Sequence, residues 1–158
     1  MGTKALTMLE PLRQGPPPTD AALASASASC TLPARYEAVR EARQFTKSTL
    51  SRWGLDRHEE DITLVTSELV TNALRHAVPD GTPESDCGVR LHLERHRARL
   101  VCAVGDLSAN GPVARAVDDF AAESGRGLFL VDSFSESWGW HPAPEPERGK
   151  VVWALFAL

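Results

Sequence analysis

Apolar and polar positions divide the chain into an unpatterned lead, two helices, a hairpin, a long aperiodic stretch and a closing helix and strand pair. Between 35 and 53, Tyr36, Val39, Ala42, Phe45, Thr49, Leu50 and Trp53 recur at helical spacing, with Arg40, Arg43 and Lys47 facing elsewhere. That spacing predicts an amphipathic helix ended by Gly54. Asp56 followed by Glu59 is a capping-box signal for a second helix over about 57–77, with Ile62, Val65, Leu69, Ala73 and Ala77 as its apolar stripe. Val78-Pro79-Asp80-Gly81 stops it, and 79–86 reads as loop.

The period then changes from helical to alternating. Val89, Leu91 and Leu93 alternate with Arg90, His92 and Glu94, Arg97-Ala98 makes a turn, and Leu100, Val101, Ala103 and Val104 follow. This predicts a hairpin with one buried face. Residues 107–124 are rich in Gly, Ala, Ser and Asp and carry little periodicity, which predicts a long loop with at most one short helix; such loops inside compact domains are often functional. Gly125-Arg126-Gly127 opens a short apolar helix from Leu128 to just beyond Val131. Strands around Ser137–Trp140 and Val151–Phe156 close the chain as a hairpin across a Pro/Glu turn at 142–149, and a short strand at Cys30-Thr31-Leu32 begins the folded part. The expected fold class is α+β: a largely antiparallel sheet covered on one face by helices.

The lead differs from everything after it. Residues 1–29 carry Pro11, Pro16, Pro17 and Pro18 beside Ser25, Ser27 and Ser29, without an aromatic residue. Such a stretch buries too little apolar surface to offset its ordering entropy, so 1–29 is expected to be a flexible tail and 30–158 the domain. The run Ala21-Ala22-Leu23-Ala24-Ser25-Ala26 mimics a signal-peptide cleavage site, but no long apolar stretch precedes it.

Composition adds exclusions. At 158 residues, 42% apolar and 24% charged, the chain is too apolar for disorder and too interrupted by charge for a membrane span. It is long enough to fold as one domain without a disulfide or metal. A net charge of -4 argues against a nucleic-acid binder, which usually carries a basic face. Cys30, Cys87 and Cys102 are an odd, widely spaced set, and the expected location is the reducing cytoplasm. Cys87, His92, His96 and Cys102 lie close in sequence, but their order matches no common zinc module; buried thiols and surface imidazoles are the ordinary reading.

Three elements carry candidate chemistry. In the second helix, Glu68 and Asn72 are four residues apart and share a face, where a carboxylate and an amide oxygen could hold hydrated magnesium and position a hydroxyl; an ordinary helix surface has the same spacing. Asp106, at a strand end, could accept a hydrogen bond from an exocyclic amine or simply cap a turn. Gly125-Arg126-Gly127 before a helix lets backbone N–H groups approach an anion, or serves as punctuation.

In this order, Glu68-x-x-x-Asn72-Ala73, Asp106 and Gly125-x-Gly127-Leu128 resemble the nucleotide site of the Bergerat-fold (GHKL) ATPases, and the implied fold is their two-layer sandwich. The fuller wording, "SELVTNALRHA", "GRGLFLVDSFSESWGW" and "GKVVW", looks like the stand-alone bacterial anti-sigma-factor serine kinases, over about Leu32 to Leu158. The resemblance implies that Asn72 coordinates Mg2+ and that Glu68 acts as base or orienter of the attacking group. It implies further that Asp106 contacts the adenine amino group of ATP, and that Gly125, Gly127 and the adjoining Leu128 frame a lid over the phosphates. Arg126 and Arg75 are candidate phosphate-side cations, and His76 reads as a packing residue. Implied partners are a STAS-domain anti-sigma antagonist, phosphorylated on serine, and a sigma factor, with the kinase itself a homodimer. The size leaves no room for an attached sensor, so the signal is expected to arrive through other proteins. The family's fuller form D-x-G-x-G stands here as Asp106-Leu107-Ser108-Ala109-Asn110, which keeps open an alternative: a degenerate nucleotide-binding, partner-switching module without kinase activity. The catalytic half of a sensor histidine kinase would need an upstream phosphoacceptor histidine, and residues 1–34 contain none.

Overall fold

The structure is a computed structural model and describes residues 13–77, 88–106, 125–143 and 149–158. The expected loops at 79–86 and 107–124, most of the Pro/Glu turn, Cys87 and residues 1–12 lie outside the described residues. Six strands form one sheet: β1 (Arg13–Gln14), β2 (Ala26–Pro33), β3 (Gly88–Arg95), β4 (Arg99–Asp106), β5 (Ser137–Pro142) and β6 (Lys150–Ala157). Their order is β1-β5-β6-β4-β3-β2, with every neighbouring pair antiparallel except the short parallel β1–β5 contact. Helices α1 (Glu37–Arg52), α2 (Glu59–Ala77) and α3 (Gly125–Phe134) complete the α+β sandwich, with α2 central, packed on α1, α3 and β4.

Strand alternation sorts the core. On the helix-covered face lie Val89, Leu91 and Leu93 of β3, Leu100, Cys102 and Val104 of β4, and Val152, Ala154 and Phe156 of β6. Against them α2 sets Ile62, Val65, Leu69, Val70 and Ala73, close to the expected stripe. The helix starts at Glu59 after a 3-10 turn, Asp56–His58, so the chain enters α2 through a tightened first turn. Gly54 ends α1 with φ +70, the left-handed conformation that glycine adopts without steric cost.

Three expectations are corrected. Tyr36 is not part of the buried stripe of α1: it precedes the first helical turn and is 88% exposed, while Ala38, Ala42, Thr46, Thr49 and Leu50 form the buried side. Thr46 is accommodated there because its hydroxyl donates to the Ala42 carbonyl, 2.8 Å away. The hairpin does not have one buried face, since Val101 of β4, together with Trp153 and Leu155 of β6, is buried on the side away from the helices.

The third correction explains the second. The fold does not begin at Cys30: β2 starts at Ala26, and Ala26–Pro33 pairs with β3 along its whole length. Before it, residues 15–25 form a strap between opposite sides of the sheet. At one end the Gly15 N–H donates to the Trp140 carbonyl (2.8 Å) and the Trp153 indole N–H donates to the Gly15 carbonyl (2.8 Å). At the other end the Ser25 N–H donates to the Arg95 carbonyl, also at 2.8 Å. Backbone hydrogen bonds to strand edges, rather than apolar burial, hold this proline- and alanine-rich segment in place. Among the described residues no helix is long and apolar enough to cross a membrane.

Candidate functional site

The site grows out of α2. Its apolar residues recur every three to four positions through Ala73, and Asn72 immediately precedes that last buried position. Asn72 is therefore drawn to the edge of the core and is 1% exposed. Among the described residues its Nδ2 has no hydrogen-bond partner, an arrangement that costs free energy unless another acceptor is bound there. One turn earlier, Glu68 is half-buried, and helix geometry puts the two side chains on one face with Cβ atoms about 5–6 Å apart. Neighbouring hydroxyls turn inward to the helix itself: Ser67 donates to the Thr63 carbonyl (2.9 Å) and Thr71 to the Ser67 carbonyl (2.7 Å). Glu68 and Asn72 are not consumed in that way; the Thr63 hydroxyl, one turn before Ser67, is likewise buried with no partner among the described residues.

Asp106 ends β4. It pairs across the ladder with Val89, which is buried under the helices, so its side chain belongs to the helix-covered face. It is 4% exposed, and the Lys150 ammonium lies 3.2 Å from its Oδ2. The register accounts for the pair: Gly105 stands opposite Val151, which sets Asp106 against Lys150 at the start of β6. Lys150 is the residue that sequence reasoning missed. The motif "GKVVW" contains it, but its relation to Asp106 exists only once β4 and β6 are neighbours, and 43 residues of chain separate them in sequence.

Gly125 opens α3 as expected, and Leu128 is fully buried beneath the helix. The helix closes onto the sheet through the Trp138 indole, which donates to Asp132 Oδ1 at 3.1 Å. Thus α2, carrying Glu68 and Asn72, packs on both the strand ending in Asp106 and the helix opened by Gly125. The side chain of Arg126 and residues 107–110, where the family's glycines would stand, lie outside the described residues, as does the side chain of His76; Arg75 is exposed.

Of the four residues weighed for zinc, Cys87 lies outside the described residues, and the other three do not share one face. Cys102 faces the helices, 3.2 Å from Thr66 Oγ1, and its burial pushes the thiol up to about 12. His92 and His96 are on the opposite face, both bonded to Glu94. Cys30 is partly buried, and burial, with Glu41 adding to it, raises its thiol above the usual range.

Comparison with known families matches residues 32–156 to one described as "Histidine kinase-like ATPase domain". Comparison with curated proteins finds no match.

Proposed function

The chain belongs to the histidine kinase-like ATPase family, and we propose that it is an ATP-dependent protein serine kinase acting as an anti-sigma factor. The observation that carries the reading is Asn72: a buried amide whose Nδ2 finds no partner among the described residues, one turn after Glu68, on the helix that packs against the Asp106 strand. The orphaned atom, Nδ2, is a donor and fits an acceptor on a ligand, such as a phosphate oxygen. Asn72 presents one amide face, and its oxygen is a hard donor suited to Mg2+. Asp106 offers a buried acceptor for the adenine amino group, with Lys150 countering the charge. Gly125, Arg126, Gly127 and Leu128 would approach the phosphates from the start of α3, where helix N–H groups favour anions.

Bound Mg-ATP supplies the γ-phosphoryl group and, through the cation, neutralisation of the charge that moves with it. The chain's own contribution is positional. Asn72 holds the cation, Asp106 fixes the base, and Glu68 orients a serine hydroxyl and receives its proton. The acceptor is a STAS-domain anti-sigma antagonist and the second partner a sigma factor, sequestered while the antagonist is phosphorylated; the kinase works as a homodimer. A second reading, a nucleotide-binding switch without catalysis, is favoured by one feature, the absence of glycines in Asp106-Leu107-Ser108-Ala109-Asn110.

Labelled-ATP transfer onto candidate STAS proteins separates the two. Wild type transfers phosphate to serine, while Glu68→Ala binds nucleotide unchanged and loses transfer by about 100-fold or more. Normal transfer by Glu68→Ala rules out its assigned role, and nucleotide binding without transfer by wild type favours the switch.

A further inference from the structure

The buried side of α1 leaves Arg40, Arg43 and Lys47 facing outward, and the structure adds Tyr36 to them. Tyr36 has helical backbone angles, φ -55 and ψ -36, so it continues the helical spacing although it precedes the first helical residue. Steps of four, three and four residues place Tyr36, Arg40, Arg43 and Lys47 in one line, about 16 Å long, down the outer face of the helix. They line a groove of about 510 Å3, with Val39 beside Tyr36 and Glu37 as the acid at that end. Tyr36 is almost fully in solvent, and both arginines are exposed. Among the described residues neither Arg40 nor Arg43 meets an acidic group, and Lys47 meets Glu59 only at 3.7 Å with its side chain 54% exposed. Charge is unevenly shared along the chain. Residues 35–52 hold five cations and two acids, a formal +3, so the remainder of this chain of net -4 stands at -7. A net acidic protein thus carries an exposed basic stripe headed by an aromatic ring, and the packing of the fold spends neither.

We propose that this face of α1 docks an acidic helix of a protein partner. Tyrosine and arginine are the residue types that dominate binding energy at protein interfaces, the first through area and the second through charge-assisted, two-pronged contact with carboxylates. The spacing of four, three and four reads the same in both directions. A helix laid antiparallel on α1 therefore offers carboxylates at i, i+4 and i+7 to Lys47, Arg43 and Arg40, and an apolar residue at i+11 to Tyr36 and Val39. Glu37 disfavours a fourth carboxylate at the Tyr36 end, which is where the apolar contact falls. Charge complementarity favours a short acidic segment over nucleic acid. A duplex needs a long cationic track, whereas this stripe is three charges long and the rest of the chain repels a polyanion. None of these residues belongs to the nucleotide site, so the inference stands apart from the kinase reading. The partner would nevertheless sit one helix away from Glu68 and Asn72, because α1 packs on α2.

The test is calorimetric titration of the full chain with a helical peptide of about 14 residues, with glutamates at i, i+4 and i+7 and a leucine at i+11, beside its glutamine analogue. Saturable binding at roughly 100 μM or tighter is expected, weakened by added salt, with the analogue weaker by about tenfold or more. Arg40→Glu combined with Arg43→Glu should weaken binding of the glutamate peptide about tenfold or more and create binding of a peptide with lysine in place of glutamate. Tyr36→Ala should weaken it about fivefold. Arg57→Glu, an exposed cation off the stripe, should bind as wild type does; circular dichroism and thermal melting establish that each variant is folded. A duplex of about 16 base pairs and phosphatidylglycerol vesicles are titrated in parallel as other polyanions. Absence of saturable peptide binding to wild type, equal affinity for the glutamine analogue, undiminished binding by the folded double variant, an equal loss in Arg57→Glu, or tighter binding of duplex or vesicles than of peptide would each overturn the proposal.

Discussion

The Asp106–Lys150 pair shows how a single residue can be legible in type and illegible in setting. Asp106 stands out in the sequence as an acid at a strand end, but its burial and its partner depend on β6 pairing beside β4. Removing one member of a nearly buried ion pair leaves the other charge uncompensated, which costs about 3–5 kcal/mol. Lys150→Met should therefore lower the urea unfolding free energy by about that amount, and adding Asp106→Asn should recover much of it; equal stability of Lys150→Met and wild type would show that the pair is not coupled. Cys102 gives a second residue-scale expectation. Its thiol ionises at about 12 in the folded protein, against an ordinary 9.0 in the unfolded chain. The folded state thus keeps a proton that the unfolded state gives up, and the associated stability is present below pH 9 and lost as pH climbs toward 12. The slope is about 1.4 kcal/mol per pH unit in that window. Between pH 8 and pH 10, wild type should lose about that much more stability than Cys102→Ala.

At the scale of elements, periodicity carried most of the reading. Helices α1 and α2, the β3–β4 hairpin and the closing β5–β6 pair lie within a few residues of where apolar spacing places them, because each has one face set by the core. The misreading fell on Ala26–Ser29, four small residues with neither bulk nor branching to signal a strand. They pair because β3 offers an edge with matching hydrogen-bonding groups, a property of the partner rather than of the segment. Tyr36 misled in the opposite direction: helical spacing counted it into α1, but it sits one residue ahead of the first turn. Gly54 was read correctly, and its energetics can be isolated. A Cβ added there meets no atom within 4 Å, so Gly54→Ala would pay only for the left-handed backbone. Denaturant titration should find a loss of about 1 kcal/mol with an unchanged m-value.

For the whole molecule, the ordered set Glu68, Asn72, Asp106 and Gly125 made the family legible before any coordinates, and the match over 32–156 places the chain within it. What the sequence hid was the second layer of burial on the far side of the sheet. A proline-rich lead reads as a tail because its composition cannot drive burial, yet backbone bonds from Gly15 and Ser25 set it across Trp153 and Val101. The two faces consequently differ in kind: one packs helices and presents Glu68, Asn72 and Asp106, while the other encloses a cavity beneath a strap. The central claim concerns the first face, namely that the buried Asn72 side chain, through its amide oxygen, is the cation end of an ATP site. Calorimetric titration of wild type and Asn72→Ala with ATP, with and without Mg2+, tests it most directly. The account predicts saturable, magnesium-dependent binding by wild type and none by a folded Asn72→Ala; wild-type binding that ignores magnesium, or that survives in Asn72→Ala, would contradict it.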